Sequence, residues 1–192
     1  MAHVIPFHGT LYNPATVGDV RQVVAPPYDI IDATLQKTLH DRHPNNVIRL
    51  ELGYEQPGDT TGDNTYLRAA GALNEWLKSG AFRRDDKPAI YYHTIEYQPP
   101  YSAPGTPTKV FKGFLSTVEL EEFGSGKIYP HENTRAAAKT DRFNLLEACR
   151  ANFSAIISLY SDPQNDVLTL IERSIASDKP RIDFQDDVGF RQ

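Results

Sequence analysis

The chain has 192 residues, 40% hydrophobic and 23% charged, with 25 acidic against 20 basic side chains and a net charge of −5. That is the composition of a soluble chain of one domain or one and a half, and its acidic balance argues against non-specific nucleic-acid binding, which needs a basic face. One cysteine, Cys149, rules out an intrachain disulfide; no apolar run is long enough to span a bilayer, and the first ten residues lack the basic-then-apolar order of a signal peptide, so a cytoplasmic location is expected.

Val4-Ile5-Pro6-Phe7 is short and apolar and predicts a first strand. Val20 to Ala25 predicts a second, stopped by Pro26-Pro27, which supply no backbone donors. Asp32 can cap a helix carrying Leu35 and Leu39 on one face, and that helix must end by His43, before Pro44. Ile48, Leu50 and Leu52 alternate with Arg49 and Glu51, the pattern of a half-buried strand. Gly53 to Asn64 reads as a loop. Leu67, Ala70, Leu73, Trp76 and Leu77 then recur at helical spacing, with Asn64 or Thr65 to cap the start and Gly80 to end it.

Ala89 to Tyr97 and Lys109 to Val118 predict a hairpin with a long Pro/Gly/Ser-rich loop. Asp141 is placed to cap a helix through Leu145, Leu146 and Cys149; in that run Cys149 reads as a small buried residue. Ala155 to Tyr160 is a continuous apolar run with the length of a buried strand. Val167, Leu170, Ile171 and Ile175 predict an amphipathic helix, and Ile182 and Phe184 a last strand. Without a strict βαβ rhythm, this order predicts an α+β fold: mixed, mainly antiparallel sheet with helices packed on it, in a single domain over residues 1–192.

Ionisable residues gather in three places. Pro26-Pro27 hold Tyr28 and Asp29 at low entropic cost, either as a ligand-facing wall or as a turn in which Asp29 caps the next helix. Pro130-His131-Glu132-Asn133-Thr134 can supply a general base in Glu132, oriented by His131. Thr134 can cap a helix whose free amides suit phosphate; the alternative is a capping network with Glu132 in solvent. Asp141-Arg142 is either a cap with an anion-binding guanidinium or a surface ion pair. His40 and His43 have a spacing that can share a metal, but Pro44 disturbs it and no third ligand is evident, so no metal site is expected.

Taken in order, Ala25-Pro26-Pro27-Tyr28-Asp29, Asn45-Asn46-Val47-Ile48, Trp76 with Gly80 and Asp85, Gly113, Pro130-His131-Glu132 with Thr134, Asp141-Arg142 with Leu145-Leu146, and Asn152 before Leu159-Tyr160-Ser161-Asp162 resemble the N-terminal half of the family called domain of unknown function 1015. The chain departs from that pattern at Ala155, where a proline is usual, and at Ala137-Ala138-Lys139, where Gly-Pro-Lys is usual. Members of that family are longer. Their second half carries an Asp-Gly-His-His-Arg motif similar to the phosphate-binding motif of the ParB/sulfiredoxin-like superfamily, which includes free-serine kinases. The resemblance implies part of a ParB/sulfiredoxin-like fold and a nucleotide-dependent small-molecule kinase, with serine as a candidate substrate. Glu132 would be its base, His131 the neighbour of that base, and Arg142 a phosphate ligand. Tyr28, Asp29, Thr134 and Asp141 would complete the substrate side. ATP or ADP with Mg2+ would be the cofactor of the full-length protein, with none tightly bound here. The chain contains no Asp-Gly-His-His-Arg, so a fragment lacking its C-terminal half, inactive by itself, is expected. The other expectations from the residues are a non-catalytic ligand- or nucleotide-binding regulatory module and a structural or interaction domain.

Overall fold

The computed structural model describes residues 2–99, 101–122, 124–130, 133–186 and 189–192. Its chain divides into two units, Met1–Ala89 with Thr117–Ser154, and Ile90–Ser116 with Ala155–Gln192. The architecture is α+β, as the order of patterns predicts: six α-helices and three two-stranded antiparallel sheets among the described residues. No helix among these residues is long and apolar enough to cross a membrane.

In the first unit, β1 (Val4–Ile5) pairs with β6 (Thr117–Val118), and β2 (Thr10–Tyr12) with β3 (Phe82–Arg84). The second register sets Tyr12 opposite Phe82; their ring centroids lie 4.5 Å apart, and Trp76 meets Phe82 edge-on at 5.3 Å. These rings share a core with Val17 from α1 (Pro14–Val17), Val23, Leu50, Leu73 and Ala81. Leu73 and Trp76 come from the buried face of α4 (Thr65–Ser79). Its ends follow the sequence: the Asn64 side chain accepts from the amides of Tyr66 and Leu67, and Gly80 closes the helix at φ 77°, a conformation that other residues take only with strain. Helix α2 (Ala33–Arg42) starts as expected at Asp32, whose carboxylate accepts from the Leu35 amide at 2.8 Å. Asp29 does not cap it and lies instead in a single 3-10 turn, Tyr28–Ile30.

Two expected strands of this unit are not strands. Ile48, Leu50 and Leu52 do not alternate across a sheet; residues Ile48–Glu51 form a one-turn helix, α3. Ile48, Leu50 and Glu51 are all buried there, so alternation over five residues says nothing about a solvent face. Val20 to Ala25 holds a 3-10 turn, Val20–Gln22, and no strand follows it. The carbonyls of this segment are satisfied without a ladder: Asn46 donates to Gln22 and Val24, and Val23 accepts from Tyr12 Oη and the Val47 amide. Helix α5 (Ala136–Cys149) begins before the expected cap at Asp141. Three alanines with high helix propensity extend it upstream. Arg135 takes the N-cap position, so Thr134 lies one residue outside it and Asp141 falls within the helix.

The loop between α3 and α4 is tied down by one side chain. Arg68 grips Asp59 through both carboxylate oxygens at 2.8 and 2.9 Å, reaches Asp63 at 2.9 Å, and donates to the Tyr54 carbonyl at 3.0 Å. The guanidinium holds the Asp59 carboxyl below the usual carboxylate range. A depressed carboxylate contributes stability above its unfolded pKa and loses it as pH falls through the folded one. The clamp therefore holds at neutral pH and releases only on strong acidification. An NMR titration of Asp59 is expected to show a higher midpoint in Arg68→Ala than in the wild type. The same low midpoint in both proteins would show that Arg68 is not the cause.

The second unit contains the predicted hairpin, β4 (Tyr91–Tyr97) paired with β5 (Lys109–Leu115) from Tyr91 opposite Leu115 to Tyr97 opposite Lys109. The predicted amphipathic helix, α6 (Asp166–Ser174), sends Glu172 to Tyr92 Oη and Lys112. Two expectations fail here. Ala155 to Tyr160 is not a buried strand: it pairs with no described strand, and Ile156, Ile157 and Leu159 are 90%, 66% and 87% exposed. No described residue of this unit is buried, so the described residues form no interior in which an apolar run could sit. Ile182 and Phe184 do not begin a strand either; the C-terminal residues close on themselves through a bridge from Gln185 to Arg191.

Candidate functional site

Helices α3, α4 and α5 bring the charged groups of the first unit together. Glu51 is the last residue of the buried turn α3, so its carboxylate needs partners. It has two: Oε2 accepts from Arg142 Nη1 at 2.7 Å, and Oε1 from the Ser154 hydroxyl at 2.6 Å. Arg142 also donates to the Glu51 carbonyl at 2.8 Å and, through Nε and Nη2, to Asp141 Oδ2 at 2.9 and 2.5 Å. The other oxygen of Asp141 accepts from Tyr66 Oη at 2.9 Å. Burial and then the Asp141 carboxylate raise the Tyr66 phenol above its usual pKa, so it remains a donor. The guanidinium carbon of Arg142 stands 4.2 Å from the centroid of the Tyr28 ring, a cation–π contact. The Pro26-Pro27 turn and the Asp141-Arg142 pair, 113 residues apart at Tyr28 and Asp141, thus meet at one guanidinium.

Beside this network lies a cleft of about 400 Å³. Gln36, Glu51, Tyr54, Tyr66, Asp141 and Arg142 contribute its polar lining, with Leu50, Leu52 and Leu145 behind them. This is the size and mixture of a small-molecule site. The Tyr54 wall is stiffened from behind by His40, whose ring stacks on it at 4.1 Å and 20°. His40 Nδ1 lies 2.7 Å from Arg49 Nη1, and burial followed by that guanidinium lowers the imidazole below its usual pKa, keeping it neutral. His43 turns elsewhere and accepts from the Asn45 amide. Among the described residues no group of three histidine, cysteine or acidic side chains is arranged to hold a metal. Cys149 packs half-buried against the core, where desolvation pushes its thiol up and away from the thiolate.

The structure brings Tyr28, Asp141 and Arg142 together. Asp29 is exposed on the same 3-10 turn as Tyr28, and Thr134 is exposed just before α5. His131 and Glu132 lie outside the described residues. Three groups in the network were not picked out by the sequence reading: Glu51, Tyr66 and Ser154. Reading Ile48 to Leu52 as a strand put Glu51 on a solvent face. The usable signal for Tyr66 was its position in the first turn of the α4 pattern, on the same stripe as Ala69, Leu73 and Trp76, where a tyrosine hydroxyl turned inward needs a partner.

A family model described as protein of unknown function (DUF1015) matches residues 4–192. No curated protein and no solved structure matches the chain.

Proposed function

The chain belongs to the family described as protein of unknown function (DUF1015), and from that premise we propose that its cleft binds a small hydroxyl-bearing molecule and presents it as the acceptor in phosphoryl transfer from a nucleotide. The observation that carries the reading is the pairing of Asp141 and Arg142 on the wall of a cleft of about 400 Å³, with the Tyr28 ring against the same guanidinium. In this reading Glu132, beside His131, is the base that takes the proton of the acceptor hydroxyl. The nucleotide is ATP or ADP with Mg2+, which supplies charge neutralisation on the transferred group.

Arg142 has a different role from the one its resemblance implies. Two carboxylates and a carbonyl already take its donors, so an incoming phosphate would compete with bonds that are made. It is read here as the group that fixes the cleft wall, a positioning residue. The same observation favours a second reading, a ligand-binding module without chemistry.

Calorimetric titration with L-serine, alone and with Mg2+ and ATP or ADP, tests the proposal. Saturable acceptor binding at millimolar concentration is expected, weakened by roughly tenfold in Tyr66→Phe, which removes the hydroxyl that orients Asp141. In a longer chain that carries the Asp-Gly-His-His-Arg motif, transfer of the labelled phosphoryl group, lost in Glu132→Gln with binding retained, would support the kinase reading. Binding without transfer by that longer chain would support the module. No heat with any ligand would overturn both.

A further inference from the structure

Behind the Tyr54 wall of the cleft sits a histidine with room for one ring proton and not for two. His40 is buried in the last turn of α2, and its ring stacks on that of Tyr54. Its Nδ1 lies 2.7 Å from Arg49 Nη1. A guanidinium can only donate, so Nδ1 is the acceptor and the single proton of the neutral ring is on Nε2. Nε2 is buried and has no hydrogen-bond partner among the described residues. Arg49 is pinned in place: its Nε donates to the Pro44 carbonyl at 2.9 Å and its Nη2 to the His40 carbonyl at 2.7 Å.

A second proton would have to enter at Nδ1, directly against that pinned cation, and Nε2–H would still lack an acceptor. The other groups facing the ring offer little compensation. The Leu52 carbonyl is near enough to favour the charged ring, but it accepts from Gln36 Nε2 at 2.9 Å and makes no hydrogen bond to His40 Nε2. Asp41, the nearby acid on α2, is exposed and paired with Lys37. Tyr54 meets the imidazole with its ring. The imidazolium is thus not accommodated where the imidazole sits.

We propose that His40 is a positioning residue for the cleft wall, operated by one proton: neutral, it backs the Tyr54 ring, and protonated, it leaves both Arg49 and the stack, so that the ring swings away from the cleft. This holds whatever molecule the cleft takes. The motion is confined to the ring, because the Tyr54 carbonyl accepts from Arg68 Nη2 at 3.0 Å and Arg68 is held in turn by Asp59, whose depressed carboxyl stays ionised in mild acid. The wall is closed at neutral pH and opens below the ordinary histidine value of about 6.5.

An NMR pH titration of the whole chain, without ligand, tests this. At neutral pH the ring nitrogen shifts of His40 are expected to report a bare Nδ1 and a protonated Nε2. As pH falls, the Tyr54 ring resonances are expected to shift with the midpoint of the His40 ring, while the fluorescence of the buried Trp76 stays unchanged. His40→Phe keeps a ring against Tyr54 and takes no proton, so it is expected to abolish that shift; should it not fold, the wild-type titration decides alone. A proton on Nδ1 at neutral pH, a Tyr54 ring that ignores the His40 midpoint, or a response of equal size in His40→Phe would overturn the proposal. A change of Trp76 fluorescence at the same midpoint would overturn it as well, because the core and not the wall would then be responding.

Discussion

Asn46→Ala is expected to destabilise the first unit by about 3 kcal/mol or more, among the larger effects a single substitution can have. Asn46 is fully buried. Its amide nitrogen donates to the carbonyls of Gln22 and Val24 at 2.8 and 3.0 Å, and its side-chain oxygen accepts from the Ile48 amide at 3.0 Å. One side chain therefore replaces the ladder that this segment lacks and also takes up the first amide of α3. Removing it strands three backbone groups, each costing about 1–3 kcal/mol if it stays buried and unpaired; partial relaxation and entry of water keep the total below their sum. Asn46→Asp keeps the acceptor but loses both donations and turns a carboxyl toward two carbonyls, so it should also be less stable than the wild type. Urea unfolding checks both variants through the fluorescence of Trp76, the one tryptophan, which is buried in this core. A loss below about 1 kcal/mol for the alanine variant, typical of an ordinary substitution, would show that the segment is held by something else.

The same residue explains why part of the fold is legible in the sequence and part is not. Helix α4 and the β4–β5 hairpin are read correctly because each has a long period and chemical stops: Asn64 and Gly80 at one, a Pro/Gly-rich loop at the other. Val20 to Ala25 and Ile48 to Leu52 are short, and over so few residues β-branched content and alternation fit a strand or a buried turn equally well. What decides between them is Asn46, a long-range polar contact with no periodic signature. Asp141 misleads for another reason. It is a good cap by residue type, but the alanines before it continue the helix past it, and its carboxylate faces Tyr66 and Arg142 instead. Ala155 to Tyr160 reads as buried on hydropathy alone, and none of the described residues of the unit that contains it is buried.

The candidate site was legible as positions but not as a network. Pro26-Pro27-Tyr28 and Asp141-Arg142 stand out as rigid or charged, and they do meet. The group that anchors their shared guanidinium, Glu51, is hidden because a carboxylate between two leucines looks like the outward residue of a strand. Its burial follows from the turn whose first amide Asn46 takes up, so the polar hub of the fold also places the acid of the site.

Arg142→Met is the second large effect expected. The Glu51 side chain is 10% exposed and that of Arg142 23%. Deleting one partner of a buried ion pair costs about 3–5 kcal/mol because the other charge is left without compensation. The partial exposure of Arg142 and the remaining Ser154 hydroxyl reduce this to roughly 2–4 kcal/mol. The cause is identified by removing the second charge as well. Glu51→Leu combined with Arg142→Met removes both charges and should recover a good part of the loss, since a buried pair is often replaceable by apolar side chains of similar volume. Ligand binding in the cleft should not recover with stability, because the double variant lacks the guanidinium that orders Tyr28 and Asp141. Urea unfolding, with L-serine titrations of both variants, provides the measurement. A double variant no more stable than Arg142→Met would mean that Glu51 is not left uncompensated when Arg142 is removed.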